Sequence, residues 1–207
     1  MPQVTVDAVE TVGDRTVALE LRTPEGFDAE PGQFILIRAT VDGVEETGYY
    51  TISSPDTTGT MEVTVEYVPE GTLAPWLAER RPGDTVAVEG PFGDVRYTGG
   101  GDAVVLAEGP GIGPAVGIAE RARAAGHDAS IVFWGQDPPH RDRLDALEAD
   151  GASVVLVESL DEAADTLAAA GDATVYVFGF ESFVRDAKTV AEAVGVDDLR
   201  AESFGPR

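Results

Sequence analysis

Hydrophobic and polar positions change rhythm once along this chain. From Gln3 to about Tyr97, short stretches alternate: VTVDAVETV, TVALELRT, QFILIRATV, GYYTIS, MEVTVEYV and DTVAVEG. Turn signals separate them, among them VGDR, PEGFDAEPG, VDGVEE, SPDTTGT and RPGD. Short strands at this spacing predict an antiparallel barrel or sandwich of about six strands. One helical piece, TLAPWLAER from Thr72 to Arg80, interrupts them. After the glycine cluster TGGGD, Thr98 to Asp102, apolar runs alternate with amphipathic stretches. The runs predict strands at Ala103–Leu106, Ser130–Trp134, Ser153–Val157 and Thr174–Phe178, with helices between them and after the last. That rhythm predicts a parallel α/β sheet. Two domains are therefore expected, a β barrel over residues 1–98 and an α/β domain over residues 102–207.

The first apolar run of the second part leads into AEGPGIGPAVG, with glycines at 109, 111 and 113. Pro114 is expected to open a helix running over Ala115–Ala125, since a first-turn residue needs no N–H, and Gly126 closes it. A strand, a glycine loop and a helix N-terminus form a site for an anion such as a pyrophosphate. A tight strand-to-helix turn with no ligand satisfies the same pattern. The spacing is neither a P-loop nor the G-x-G-x-x-G dinucleotide fingerprint.

Composition narrows the class. Among 207 residues, 43% are hydrophobic, enough for a sizeable core, and the net charge is -24. Residues 1–100 hold 18 acidic and 6 basic side chains and residues 101–207 hold 20 and 8, so each half is near -12. Lys188 is the only lysine. This even acidity suits a halophilic protein of a very salty cytoplasm, where salt screens the repulsion. It argues against a nucleic-acid partner, which needs a basic face. There is no cysteine, so this chain holds no disulfide, zinc-thiolate site or iron–sulfur cluster. His127 and His140 are the only histidines, and no metal site is expected at them. No apolar run is long enough for a membrane span and no signal peptide opens the chain, so a cytoplasmic location is expected.

A barrel followed by a parallel domain with a glycine-rich first loop resembles the ferredoxin–NADP reductase family. Seven segments in order carry the resemblance: PGQF (Pro31–Phe34), YTISS (Tyr50–Ser54), GTLAPWL (Gly71–Leu77), PGDTVAVEGPFG (Pro82–Gly93), GPGIGP (Gly109–Pro114), VYVFGF (Val175–Phe180) and ESFG (Glu202–Gly205). The chain is similar to a haloarchaeal-type member. The resemblance implies an FAD-binding barrel, a nicotinamide-nucleotide-binding domain and an NAD(P)H oxidoreductase. It implies that Tyr50 lies against the flavin ring and that the Thr51 hydroxyl reaches the flavin nitrogen that receives the hydride. Phe204 would cover the other face, and Glu202 would join a polar relay at the hydride-transfer site. Ser54, Gly71, Thr72 and Leu73 would lie along the flavin and its pyrophosphate. Gly109, Gly111 and Pro114 would face the phosphates of the nicotinamide nucleotide, with Phe178 and Gly179 near the nicotinamide.

The chain departs from the family at Gly48, where the family carries an arginine that pairs with flavin phosphate. Arg38, on the neighbouring predicted strand, is the expected substitute. After SIVFWG the nearest basic residues are His140, Arg141 and Arg143, and NADH is favoured over NADPH as co-substrate. The electron acceptor is expected to be a protein such as ferredoxin or another redox subunit. An electron-transfer subunit of a larger complex and a scaffold without flavin are the two alternatives.

Overall fold

The computed structural model describes residues 1–205. Its first sheet is built from β1 (Gln3–Gly13), β2 (Thr16–Arg22), β3 (Phe34–Val41), β4 (Val44–Thr51), β5 (Thr60–Glu66) and, after helix α1 (Leu73–Ala78), β6 (Thr85–Phe92). Alternation sets the faces. Ile35 and Ile37 of β3 are fully buried, while Phe34, Leu36 and Arg38 lie on the other face. The β3–β4 hairpin turns at Asp42-Gly43, both with positive φ, as a two-residue turn requires. The six strands run antiparallel in the order β4-β3-β6-β1-β2-β5. A bridge between Ile52 and Val63 draws the two ends together around a core of Leu19, Leu21, Ile35, Ile37, Met61 and Leu77. This is the expected six-stranded barrel.

The second sheet is fully parallel, in the order β11-β10-β7-β8-β9. Its strands are β7 (Ala103–Glu108), β8 (Ala129–Trp134), β9 (Ser153–Val157), β10 (Thr174–Gly179) and β11 (Leu199–Ser203). Helices α2 (Ile112–Ala124), α3 (Arg141–Ala149), α4 (Ala164–Ala168) and α5 (Glu181–Ala193) connect them. β7 is buried along its whole length. The chain winds outward from β7 through β8 and β9, then returns to the other side for β10 and β11. The crevice at the carboxyl ends of β7 and β10 is thus a topological switch point, where open parallel sheets bind ligands.

Two local expectations change. The helix after the glycine loop starts before Pro114: Gly109–Gly111 forms a 3-10 turn continuous with α2, and Pro114 is the third residue of α2. A fifth strand, β11, joins the four predicted. Its sequence LRAES has no apolar run, and it is an edge strand held by backbone pairing to β10 alone.

The two parts meet in a polar clasp. Arg143 of α3 donates to Glu120 of α2 at 2.8 and 2.7 Å, to Glu62 of β5 at 2.7 Å and to the Ser53 carbonyl at 2.7 Å. Nearby, His140 Nε2 lies 2.8 Å from the Thr64 hydroxyl, and its backbone N–H donates to the Val12 carbonyl. His140 is buried and takes a positive φ. Burial, with help from Arg143, lowers its pKa to about 3, so it is neutral. Glycines let α2 approach the barrel. A Cβ on Gly113 would strike Thr64, and one on Gly117 would lie 2.7 Å from the Ser53 carbonyl.

Candidate functional site

β4 and the chain's C-terminal strand meet across the face between the two sheets. There Phe34, Tyr49, Thr51 and Phe92 of the barrel face Glu202, Ser203, Phe204 and Gly205 around a hollow of about 550 Å³. A smaller hollow of about 150 Å³ adjoins it and shares Tyr49, Thr51 and Phe204. Tyr50, Thr64, Glu66, Pro110 and Phe180 complete it. Six aromatic rings border the two hollows. Phe34 packs edge-on to Tyr49 at 5.6 Å and lies 5.9 Å from Phe92, and Phe180 packs edge-on to Phe204 at 6.2 Å. Flat rings bordered by the hydroxyls of Thr51 and Thr64 suit a planar heteroaromatic guest.

Within this region the expected residues converge. Thr51 ends β4 opposite Phe34 and borders both hollows. Tyr50 lies back along its strand over Gly48, and burial holds its phenol well above the usual range, so it stays protonated. Phe204 follows β11 and borders both hollows. Burial also raises the pKa of Glu202.

Others lie elsewhere. Arg38 is across the β3–β4 ladder from Thr47, on the face away from Gly48, and pairs with Glu45 at 3.3 Å. It borders a separate depression with Trp76. Ser54 accepts the Glu62 backbone N–H. Gly71 and Thr72 are exposed at the start of α1, and Leu73 is buried against the barrel core. Phe178 is fully buried in the α/β core and borders neither hollow. Pro114 is buried within α2. Gly111 is buried as well, and a Cβ there would strike the Phe178 carbonyl, so close packing accounts for this glycine. Gly179 ends β10 beside Glu108.

Gly109, with φ +53, faces a third cavity of about 390 Å³ at the carboxyl ends of β7 and β8. Asp14, Glu66, Glu108, Phe133, Trp134, Gly135, Gln136, Asp137 and Pro139 complete its lining. Glu108 is buried and accepts the Phe180 backbone N–H at 3.2 Å. Trp134 stacks on Phe183 at 5.8 Å, nearly parallel, and donates to the Glu158 carbonyl. Glu66 borders both this cleft and the smaller hollow, so the two spaces adjoin. The sequence pattern assigned no role to Tyr49 or Glu108, an aromatic beside YTISS and an acid just before the glycine loop, and Phe34, Phe92 and Phe180 lie inside PGQF, PGDTVAVEGPFG and VYVFGF without being counted among the site residues.

An aromatic-bordered barrel hollow thus adjoins a cleft at the carboxyl ends of β7 and β8, an arrangement able to hold a planar ring beside a nucleotide. Residues 3–97 match the oxidoreductase FAD-binding domain family. That match covers the barrel, and over nearly its whole length the chain shares the fold of a ferredoxin NADP+ reductase. A probable dihydroorotate dehydrogenase B electron transfer subunit of Methanopyrus kandleri is 37% identical over 131 residues, covering 63% of this chain and 47% of the relative. A human NADH-cytochrome b5 reductase-like protein is 32% identical over 105 residues, covering 49% of this chain and 33% of that protein. The chain thus spans less than half the length of these curated relatives. Among solved structures, the FAD/NAD-binding domain of a Vibrio cholerae nitric oxide dioxygenase superposes with a TM-score of 0.80 at 18% identity, covering 99% and 98% of the two chains. A ferredoxin NADP+ reductase from Neisseria gonorrhoeae with bound FAD and NADP gives 0.75 at 15%, covering 98% of each. At these identities the superpositions establish the fold.

Proposed function

We propose that this protein is an FAD-dependent oxidoreductase that takes hydride from NADH and passes the electrons to a redox partner such as ferredoxin or a partner subunit. The observation that carries the reading is the meeting of Tyr50 and Thr51, at the end of β4, with Phe204, just after β11, at one space adjoining the cleft at the ends of β7 and β8. When bound, the flavin supplies the hydride acceptor and the redox chemistry. In this reading the Tyr50 ring packs on the flavin, the Thr51 hydroxyl hydrogen-bonds its edge and Phe204 shields its open face from water. Glu202, its pKa raised by burial, borders the hollow beside Phe204. Gly109 leaves room for the nucleotide phosphates, and Trp134 offers a ring to the base.

The preference for NADH rests on charge. Asp14, Glu66, Glu108 and Asp137 border the cleft, and among the described residues no lysine or arginine does. The basic residues after β8 are diverted: Arg143 is held in the clasp, His140 is buried beneath Thr64, and Arg141 borders a different depression with Glu10 and Asp142. A ribose 2′-phosphate would enter a cleft bordered by four carboxylates, whereas a 2′-hydroxyl can donate to a carboxylate. A second reading, an electron-transfer subunit of a larger complex, is favoured by the similarity to the Methanopyrus kandleri protein. Among the described residues no helix is long and apolar enough to cross a membrane.

The test is anaerobic stopped-flow mixing of FAD-supplemented protein in molar potassium chloride with each dinucleotide. Rapid bleaching of the flavin band by NADH, with slower bleaching by NADPH, is expected. Bleaching by neither would end the oxidoreductase reading, and equal rates would end the NADH preference.

A further inference from the structure

The site fits one part of a flavin far better than the other. For the ring there are Phe34, Tyr49, Tyr50, Phe92, Phe180 and Phe204 around Thr51. For the phosphates there is no comparable provision. At Gly48, where the related pattern carries an arginine, a Cβ would lie 2.9 Å from the Tyr50 ring, 3.0 Å from its hydroxyl and 3.1 Å from Leu73. The space of a long cationic side chain is therefore already filled by tyrosine and leucine. Among the described residues no lysine or arginine borders either hollow.

Nine of the other described cations are paired elsewhere, and Arg81, Arg96, Arg141 and Lys188 border neither hollow. Among the described residues, Arg15, Arg22, Arg38, Arg80, Arg121, Arg123, Arg143, Arg185 and Arg200 are each paired with a carboxylate. Arg80 also lies 3.7 Å over the Trp76 ring and donates to the Trp76 carbonyl, at the far end of α1. α1 itself has six residues, too short for a strong helix dipole at Thr72.

Resting on the proposed function above, we infer that this site recognises flavin by its isoalloxazine ring and not by its phosphates, so that flavin is an exchangeable co-substrate. NADH gives up one hydride to the flavin ring, and one proton is taken up from water. Oxidised dinucleotide and reduced flavin are the two products. The reduced flavin then leaves and carries the electrons onward. A charge-assisted phosphate contact is worth about 10- to 100-fold in affinity, and its absence is what makes release feasible. The ring contacts are common to FAD, FMN and riboflavin, so the three compete on nearly equal terms.

The experiment is fluorescence titration of the full chain with FAD, FMN and riboflavin in molar potassium chloride, repeated at lower salt. The three dissociation constants are expected to agree within about five-fold, and flavin should be lost on gel filtration. FAD has two negative phosphates and riboflavin none, so lowering the salt should weaken FAD relative to riboflavin against a chain of charge -24. Phe204→Ala should weaken all three by the same factor. Retention of FAD through gel filtration with riboflavin at least about 100-fold weaker would overturn the inference and leave the oxidoreductase reading standing. FAD tightening relative to riboflavin as salt falls would overturn it too, because it would place positive charge at the phosphates. Failure of all three flavins to bind folded protein would overturn the oxidoreductase reading itself.

Discussion

The aromatic hollow and the acidic cleft adjoin at Glu66, yet they are built from opposite materials. The hollow is walled by side chains of β3, β4 and β6 and by the end of β11, and rings dominate it. The cleft is walled by the ends of β7 and β8 and by the loop after β8, with four carboxylates on its border. Strand faces present flat rings well, because alternate residues point the same way. Strand ends and loops present polar groups and free backbone N–H groups. A planar ring and a charged dinucleotide thus meet surfaces of different origin, held in contact by a clasp belonging to neither.

Breaking the clasp should have the largest effect. Arg143→Met leaves Glu62 and Glu120 facing each other without a counter-ion and removes a donor from Ser53. A loss of about 3 kcal/mol is expected by urea unfolding, with hydride transfer falling as hollow and cleft lose alignment. Next comes pH. His140 is neutral when folded, with its pKa lowered to about 3, while the unfolded value is about 6.5. Its contribution is complete above pH 6.5 and is lost as pH falls, because the unfolded chain takes up a proton that the folded one refuses. Between pH 6.5 and 5 the wild type should lose about 2 kcal/mol more than His140→Gln. Equal losses would mean that this histidine is not held neutral.

A smaller effect should sharpen the charge difference. Asp137→Arg puts a cation on the cleft border, and kcat/KM for NADPH relative to NADH should rise about ten-fold. The flavin titration should not change, since Asp137 borders the cleft and not the hollow. The smallest effect is expected at Arg38. Its pair with Glu45 is solvent-accessible and on the face away from Gly48. Arg38→Ala should cost less than about 1 kcal/mol and shift flavin affinity less than about two-fold. A larger loss of FAD affinity, with riboflavin unaffected, would restore Arg38 as the phosphate partner.

Most of the architecture was legible in the sequence. Alternation gave the barrel strands, apolar runs gave β7 to β10, and Asp42-Gly43 marked the hairpin. β11 escaped because LRAES has no hydrophobic pattern. Its place depends on pairing with β10, a contact with a segment some twenty residues away that no local signal reports. Glycines were visible, but their reasons were not. Gly109 faces the cleft as a phosphate loop would, whereas Gly111, Gly113 and Gly117 are there so that α2 can press against β10 and the barrel.

Candidate chemistry divides along the same line. Thr51 and Phe204 were readable from segments of distinctive sequence, and the structure brings them to one hollow. Arg38 was readable as a cation on the right pair of strands, but strand parity turned it to the face away from Gly48. The roles of His140 and Arg143 were invisible, because each finds its partner on the other sheet, 76 and 81 residues away. By itself the sequence determined which segments are strands, helices and turns, and which side chains a flavin site could draw on. Those depend on local periodicity, backbone preference and residue chemistry, all carried by neighbours in the chain. Only the tertiary structure decided which faces meet, what fills the space above Gly48 and where the positive charges are consumed, because packing and ion pairing are set by groups that come close only when the chain has folded.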